Sequence, residues 1–405
     1  METLNVRLTE ERGAEGVRRR VKFDSEEIWW AFDGPADALP APMATHDMAA
    51  VAMIFRAMWE GRNLHVDGPV SLPLLEGLEE FVTCWVLWRP DLYRRITVSA
   101  SEELAPSLAP ERRDLAVAAY SGGVDSAFTI WRHHRQDAGR RSRSLHCAAF
   151  IHGFDIPLQQ NAAYDVAFSR ASETLRSIGV PLVRLTTNWR LVGCRSWQMD
   201  FGAGLTACLR NWEGSVGSAL IGSGEDYAHL AIPWGSNPVS LPMFSTPSFE
   251  IIYHGLGFTR TEKAAALSDW PEAVSNLRVC WLDVETGKNC GSCEKCIRTK
   301  LNFMAAGLPL PESLAEPPTP RQIRQINARN RVQLELLEDI LNFAKNRGAQ
   351  EYWIDPLKVA VKRSRRRMAI RQRGIRLRQL LPMSVKQILP KSLKQNLNAA
   401  FEAMF

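Results

Sequence analysis

The sequence predicts an α/β fold in which a parallel sheet is sandwiched between helices, extended by an N-terminal α/β module and a helical, basic C-terminal tail. Three observations support this fold class. Apolar strand patterns alternate with helix patterns after about residue 113. One of these strands runs through two glycines directly into a helix. The net charge of +6 is due to the C-terminal part of the chain.

Residues 1–112 are predicted to form the N-terminal module. Strand patterns cover 28–34 and 94–101, and helix patterns cover 46–61 and 71–88. This part of the sequence carries no chemical motif, and its tryptophans are expected to lie in a core or an interface. The sequence therefore assigns no role to the module.

Residues 113–310 are predicted to form the domain that carries the chemical motifs. The predicted strands cover 114–120, 144–153, 181–187 and 218–224, and the predicted helices cover 126–136, 162–179 and 198–212. Apolar strands in alternation with helices indicate a parallel sheet that is covered on both faces. Because ligands bind beyond the carboxyl ends of such strands, the segment after residue 120 is a candidate site.

Residues 311–405 are predicted to form a helical C-terminal extension. Apolar residues at helical spacing predict helical structure from Pro320 to Gly348. From Lys358 to the C-terminus there are 13 Lys and Arg residues and one acid. The stretch 358–397 mixes these cations with aliphatic residues, which suits contact with an anionic membrane surface, binding to RNA, or a solvated end.

The chain has 405 residues, of which 45% are hydrophobic and 23% charged, a composition typical of a globular protein. Its first 24 residues carry charges throughout and lack the apolar segment of a secretory leader. No apolar run in the sequence is long enough to cross a membrane. We therefore expect a cytoplasmic location. The alternative is a peripheral location at the membrane, with contact through the tail. Eight cysteines in such a chain are expected to be thiols or metal ligands rather than disulfides.

The stretch SGGVDS joins a predicted strand to a predicted helix. A strand that ends in Ser121, Gly122 and Gly123 leaves backbone N–H groups open at the positive end of the helix dipole, and the glycines let an anion approach closely. The Ser126 hydroxyl can donate as well. The sequence lacks the lysine of a Walker A loop, and the Asp125 carboxylate suits either a bound Mg²⁺ ion or a helix cap. The alternative is a glycine-rich turn capped by Ser and Asp.

This strand and its SGGVDS loop resemble the signature of the PP-loop ATP pyrophosphatases, which have an adenine nucleotide alpha-hydrolase-like fold. That family cleaves ATP between the α and β phosphates and transfers AMP to a carbonyl or carboxyl oxygen. Ammonia, an amine or sulfur then displaces the AMP. The resemblance implies that Ser121, Gly122, Gly123 and Ser126 bind pyrophosphate and that Asp125 helps to hold Mg²⁺. It also implies that Ser121 and Asp125 act in catalysis.

Three further stretches gain a role from the same resemblance. Gly222 and Asp226 follow a later strand and are expected to face the nucleotide or a second metal ion, with an acidic capping loop as the alternative. His152 and Asp155 follow the second strand of the domain and are expected near the adenine or the ribose. Lys263 lies near a helix start and is expected to serve a phosphate as the third catalytic residue, with a solvated helix face as the alternative.

Four of the eight cysteines share a C-x9-C-x2-C-x2-C spacing, and they are Cys280, Cys290, Cys293 and Cys296. Gly291 in the first short step permits a tight turn, so that the sulfurs can converge on one point. A Zn²⁺ ion held by four cysteines has no open position and is structural. An iron–sulfur cluster suits the same thiolates, and unrelated thiols are the remaining alternative.

The SGGVDS loop, followed about 160 residues later by C…CGxCxxC, resembles the 7-cyano-7-deazaguanine synthase family over roughly residues 113–310. Members of that family convert a carboxylate into an amide and then a nitrile with ATP and ammonia, beside a structural zinc site. The long segments before and after this region depart from the family pattern. The resemblance implies a ligase or synthase that uses ATP, Mg²⁺ and zinc to adenylate another small carboxylate or carbonyl substrate.

Two rival functions stay open at this point. If the N-terminal module and the tail bind tRNA, the chain is a tRNA-modifying thiolase or ligase in which Cys290, Cys293 or Cys296 carries iron–sulfur or persulfide chemistry. If the chain binds ATP without turnover, it is a nucleotide-sensing or scaffold protein and a non-catalytic partner. The sequence is compatible with an oligomer and with a monomer.

Overall fold

The computed structural model describes residues 2–13, 16–105, 110–280 and 286–380. Its strands form one sheet in the spatial order β10-β9-β6-β7-β8-β3-β2-β1-β4-β5. In chain order they are β1 (Thr3–Gly13), β2 (Gly16–Phe23), β3 (Glu26–Asp33), β4 (Asn63–Ser71), β5 (Val98–Leu104), β6 (Leu115–Ala119), β7 (Ser144–His152), β8 (Leu182–Thr187), β9 (Ser218–Gly222) and β10 (Glu250–His254). The pairs β1–β2, β2–β3 and β3–β8 are antiparallel, and the other neighbours are parallel.

Helices flank this sheet. They are α1 (Asp47–Glu60), α2 (Leu72–Trp88), α3 (Val124–His134), α4 (Asn161–Arg176), α5 (Trp189–Val192), α6 (Trp197–Arg210), α7 (Arg260–Ala266), α8 (Pro271–Ser275), α9 (Glu294–Ala306), α10 (Pro320–Gln325), α11 (Arg331–Asn346) and α12 (Ile354–Leu380). The predicted α/β fold, a mostly parallel sheet with helices around it, is therefore confirmed at this level.

The alternation of side chains along the central strands explains why both faces of the sheet are covered. On β6, Val117 faces a core that it shares with α1, α2 and α6. Its neighbours Ala116 and Ala118 face a second core with α3, α4 and α7. The near-continuous apolar run of β6 is thus the result of burial on two faces.

The strands of the N-terminal part extend the same sheet. β3 pairs antiparallel with β8 over a register that includes Trp30 opposite Thr187. The core around α1 and α6 contains residues from both sides of the predicted domain boundary at residue 112, and Trp30 and Leu185 are two of them. The predicted N-terminal module and the motif-bearing domain therefore share one sheet and one core.

The segment 320–348, predicted to be helical, consists of two helices, α10 and α11. Ile326 leaves the helical conformation with a ψ of 131°. Asn330 then begins α11 by accepting a hydrogen bond from the Gln333 backbone N–H with its side chain. The periodic apolar pattern thus continues across a helix boundary, where Ile326 ends α10 and the N-cap Asn330 begins α11.

The C-terminal helices have an apolar core of their own. Leu301 of α9, Leu337 of α11 and Leu357 of α12 are fully buried members of it. α12 covers the first part of the predicted basic stretch, and residues 381–397 of that stretch lie outside the described residues. Within the described ranges, no helix combines the length and the apolar character needed to cross a membrane.

Candidate functional site

The SGGVDS loop lies at the carboxyl end of β6, in the parallel part of the sheet. β7 pairs with β6 on one side and β9 on the other, and both run parallel to it. The chain therefore leaves β6 toward one side of the sheet and later returns on the other. In open α/β sheets this topological switch point is the usual place of a ligand site.

Hydroxyl groups and backbone donors shape the loop. Ser121 Oγ lies 3.2 Å from Ser126 Oγ, and it accepts a hydrogen bond of 3.3 Å from the Gly123 N–H. Gly122 has a φ of +75°, in the left-handed region that favours glycine. Its carbonyl accepts a 2.8 Å hydrogen bond from the Arg278 N–H, which fixes the loop against the chain that leads to the cysteine cluster.

The start of α3 is available to an anion. Gly123 is the N-cap, and among the described residues no side chain caps this end. Asp125 lies in the first turn, where its carboxylate accepts a hydrogen bond from Arg260. The alternative in which Asp125 caps the helix is therefore wrong. The first-turn N–H groups and the helix dipole together favour a negatively charged ligand.

Two cations of α7 face the Asp125 carboxylate. Arg260 donates to Oδ2, and Lys263 Nζ lies 3.7 Å from Oδ1. The Lys263 side chain is only 1% exposed. Its ammonium also donates to the Ser223 carbonyl at 2.6 Å and to the Ser223 hydroxyl at 2.9 Å. The alternative of a solvated helix face at Lys263 is therefore wrong.

The charges of this group support one another. Burial opposes ionisation of Asp125, but Arg260 and Lys263 outweigh it and lower the pKa of the carboxyl below its ordinary value. Burial lowers the pKa of Lys263, and the Asp125 charge opposes that shift. Asp125 Oδ1 has no hydrogen-bond partner among the described residues. A buried charged oxygen without a donor is a feature that a bound ligand or ion would explain.

A third cation reaches the same place from α9. Arg298 is 5% exposed, and its Nε donates to Glu294 at 2.6 Å. Its Nη1 has no hydrogen-bond partner within the described ranges. The Arg298 charge contributes to the low pKa of Asp125. Arg260, Lys263 and Arg298 thus lie near Asp125, and their positive charges suit an anion such as a phosphate.

A cavity of about 480 Å³ opens at the loop, a size typical of small-molecule sites. Its polar side near the loop consists of Ser121, Gly123, Asp125, Ser126 and Gly222. A second group of lining residues is aromatic and consists of Phe154, Trp197, Phe201 and Trp234. The cavity therefore combines a polar end beside the start of α3 with flat apolar surface.

Further polar lining residues were not predicted from the sequence, and they are Gln198, Arg278, Lys295, Asn330 and Gln333. Arg278 and Lys295 lie close to the cysteines of the motif in sequence, and this position could have suggested that they belong to the site. Asn330 and Gln333 come from the start of α11, far from any motif. The C-terminal helices thus supply part of the wall.

Asp155 lines the cavity beside two of these cations. Burial lowers the pKa of Lys295 to about 8, and the Asp155 charge opposes that shift. Burial also lowers the pKa of Arg278, again against the charge of Asp155. The predicted placement of Asp155 at the site is consistent with the structure, and cationic side chains surround it.

Four residues predicted to contact the nucleotide lie outside the described lining of this cavity, and they are Gly122, His152, Asp226 and Lys263. His152 is buried, stacks on Tyr164 with ring centroids 4.2 Å apart, and has Nε2 3.0 Å from the Pro157 carbonyl. Burial lowers its pKa. Asp226 accepts a hydrogen bond from the Ala228 N–H and faces His229 instead. The structure thus brings Gly222 to the loop but not His152 or Asp226.

The four predicted cysteines come together in space. Their sulfur atoms lie within 4.8 Å of one another, and Cys290 Sγ is 3.9 Å from Cys296 Sγ. Sulfurs around a single Zn²⁺ ion with Zn–S bonds of about 2.3 Å are separated by about 3.8 Å in a tetrahedron. Backbone N–H groups of Cys290 and Cys293 donate to Sγ of Cys280 and Cys290, both at 3.3 Å. The cluster can therefore hold a metal ion such as zinc.

A lysine stands beside this cluster. Gly291 turns the chain between Cys290 and Cys293 with a φ of +73°, and its carbonyl accepts a 2.8 Å hydrogen bond from Lys300 Nζ. Four thiolates around a divalent ion carry a net negative charge, which the Lys300 ammonium partly offsets.

Comparison of the chain with protein-family models, with curated proteins and with solved structures gives no match.

Proposed function

We propose that this chain is an ATP-dependent enzyme of the PP-loop type that transfers AMP to a carboxylate or carbonyl oxygen and releases pyrophosphate. The observation that carries the proposal is the position of the SGGVDS loop, which joins β6 to α3 at the switch point of the parallel sheet. The buried cations beside it add the positive charge that a leaving pyrophosphate needs.

The polar groups beside the SGGVDS loop each have a role in this reaction. The hydroxyls of Ser121 and Ser126 and the first-turn N–H groups of α3 bind the β and γ phosphates. Lys263 and Arg260 stabilise the negative charge that develops on the pyrophosphate as it leaves. The substrate oxygen attacks the α phosphorus, and the bond to the α–β bridging oxygen breaks with its electron pair on that oxygen.

Asp125 fits a role as ligand of Mg²⁺. Its Oδ1 is buried and has no donor among the described residues, and carboxylate oxygen is the ligand type that Mg²⁺ prefers. When bound together with phosphate oxygens, Mg²⁺ neutralises phosphate charge. Arg260, which holds the other oxygen of Asp125, keeps the carboxylate ionised and fixed in place.

The remaining part of the cavity suits the acceptor substrate. Arg278 and Lys295 attract an anionic group, and the aromatic residues Trp197 and Phe201 provide surface for a flat or apolar portion. After transfer of AMP, a nucleophile such as ammonia attacks the activated carbon and AMP leaves. The product is then an amide or a related compound of the original acid.

The four cysteines are proposed to hold one structural zinc ion. A separation of 3.9 Å between Cys290 and Cys296 sulfurs suits a single ion, whereas each thiolate of a four-iron cluster binds a different iron atom. Four sulfur ligands leave no position for a substrate. This arrangement favours the ligase over a thiolase that uses these cysteines in sulfur transfer.

The proposal is tested with purified, zinc-loaded protein, MgATP, ammonia and a panel of carboxylic acids. We expect AMP and pyrophosphate in equal amounts with at least one acid. Asp125→Asn and Ser121→Ala are expected to reduce AMP formation by about a hundredfold or more, the effect of removing one group that stabilises transition-state charge. Asp137→Asn is the matched control, because this acid beyond the far end of α3 is exposed and pairs with Arg135.

The products separate the rival functions. Formation of ADP and orthophosphate contradicts the proposed reaction. Calorimetric binding of ATP without AMP release from any acid of the panel supports a non-catalytic ATP-binding protein. Absorbance in the visible range after anaerobic purification, in place of stoichiometric zinc, supports the tRNA-modifying alternative.

A further inference from the structure

A second group of metal-ligating side chains lies between the loop after β9 and the helix α11. Asp226 and His229 belong to the loop, and Asp339 belongs to α11. Each offers one ligand atom, and these atoms lie within 4.8 Å of one another. We call these three residues the Asp/His cluster. It is separate from the four cysteines, and its members do not belong to the described lining of the cavity.

The contacts within the Asp/His cluster leave one buried oxygen unexplained. His229 Nδ1 lies 2.9 Å from both carboxylate oxygens of Asp226, so these two groups satisfy each other. Asp339 is 7% exposed, and its Oδ2 has no hydrogen-bond partner within the described ranges. A buried carboxylate oxygen without a donor is strongly unfavourable unless an ion, a ligand or a proton compensates it.

Further carboxylates surround the same place. Glu225 is 5% exposed, and its Oε1 has no partner in the part of the chain that the structure describes. Glu335 gives one oxygen to Arg331 at 2.6 Å, and its other oxygen is buried without a described partner. Several unsatisfied carboxylate oxygens thus converge where the loop meets α11.

We propose that Asp226, His229 and Asp339 bind one divalent transition-metal ion. An ion at this place supplies a partner for Asp339 Oδ2 and offsets the surplus negative charge. Two carboxylates and one imidazole are ligands for Mn²⁺ or Zn²⁺, whereas Ca²⁺ and Mg²⁺ prefer oxygen ligands only. The soft thiolates of the cysteine cluster are poor ligands for Mn²⁺, so the two sites differ in metal preference.

Such an ion joins the main sheet to the C-terminal helices. Asp226 and His229 follow β9, and Asp339 lies in the middle of α11. The start of the same helix supplies Asn330 and Gln333 to the cavity wall. The ion therefore positions that wall relative to the loop after β9. This inference goes beyond the proposed reaction and does not depend on ATP turnover.

The test uses Mn²⁺ as the probe and protein that holds one zinc ion per chain, without nucleotide, so that excess zinc does not occupy the Asp/His cluster. The number of Mn²⁺ ions bound per chain is measured by equilibrium dialysis and by loss of the free Mn²⁺ signal in electron paramagnetic resonance. We expect one bound ion per chain. Asp339→Asn and His229→Gln are each expected to weaken that binding at least tenfold. Glu338→Gln is the matched control, because this neighbouring acid of α11 pairs with Arg365 and is expected to leave Mn²⁺ binding unchanged.

Thermal unfolding with and without Mn²⁺ provides a second measure of Mn²⁺ binding, which remains usable if one variant folds poorly. Mn²⁺ is expected to raise the melting temperature of the unmodified chain more than that of either cluster variant. Without Mn²⁺, Asp339→Asn is expected to be at least as stable as the unmodified chain, since it removes one of several repelling carboxylates. Absence of stoichiometric Mn²⁺ binding, or binding that both cluster variants retain at full strength, overturns the proposal. Failure to form AMP overturns only the proposed reaction.

Discussion

Replacement of Lys263 by methionine tests the buried charge group most directly. Methionine has a similar length and apolar stem, so Lys263→Met removes the ammonium while it keeps most of the packing. In the native chain this ammonium donates to the carbonyl and the hydroxyl of Ser223 and lies 3.7 Å from Asp125 Oδ1. The variant therefore leaves buried acceptors without their donor.

The expected loss of folding free energy is about 3 kcal/mol. Removal of one partner from a buried ion pair costs about 3–5 kcal/mol. The lower end of this energy range applies to Lys263→Met because Asp125 keeps its hydrogen bond from Arg260. The Ser223 carbonyl loses a 2.6 Å hydrogen bond, and relief of repulsion between Lys263 and Arg260 offsets part of that loss.

Guanidinium titration followed by tryptophan fluorescence measures this change. Lys358→Met is the matched control, because Lys358 is 61% exposed and its pair with Asp355 is on the surface. We expect the control to stay within about 0.5 kcal/mol of the unmodified chain. If Lys263→Met unfolds at the same guanidinium concentration as the control, the reasoning about a buried, paired ammonium is refuted.

Three further predictions concern the metal cluster, pH and backbone packing. Cys293→Ser is expected to lower zinc content, measured by mass spectrometry, and with it the melting temperature. Burial lowers the pKa of His133 from 6.5 to about 4, so the unfolded chain binds the extra proton and stability falls by about 3 kcal/mol as pH drops from 6.5 to 4. Guanidinium titrations at several pH values are expected to show a smaller loss of folding stability between pH 6.5 and 4 for His133→Gln than for the unmodified chain. Gly222→Ala places a Cβ 2.6 Å from the Asp125 carbonyl oxygen, and a loss of about 1–3 kcal/mol and weaker ATP binding by calorimetry are expected.

Each of these changes has a control at a comparable position. Cys84→Ser alters a half-buried thiol outside the cluster and is expected to leave zinc content unchanged. His134→Gln alters the exposed neighbour of His133 and is expected to keep the pH dependence. Gly224→Ala adds a Cβ that meets no described atom within 4 Å. Equal effects of a change and its control contradict the explanation given for that change.

The sequence predicted the features that are local in the chain. The strand, the SGGVDS loop and the helix follow one another within a few residues, so their order could be inferred from periodicity and glycines. The spacing of Cys290, Cys293 and Cys296 likewise brings three sulfurs together through one turn and the start of α9. In both cases the distance along the chain limits the distance in space.

β2 shows why other elements could not be predicted. Arg19 occupies an inward position of this strand and is fully buried, which interrupts the apolar alternation that indicates a strand. Its guanidinium is satisfied by Glu10 at 2.7 Å and by carbonyls of Ala41 and Asn211, both at 2.6 Å. Partners from such distant parts of the chain are determined only by the folded sheet.

The sequence by itself determined the α/β class, the SGGVDS loop between a strand and a helix, and the cysteine motif, because each depends on neighbours in the chain. Only the tertiary structure decided that Arg260, Lys263 and Arg298 converge on Asp125. It also decided that the N-terminal strands continue the main sheet and that α11 forms part of the cavity wall. These contacts join residues more than a hundred positions apart, and they depend on strand register and helix packing, which no local pattern encodes.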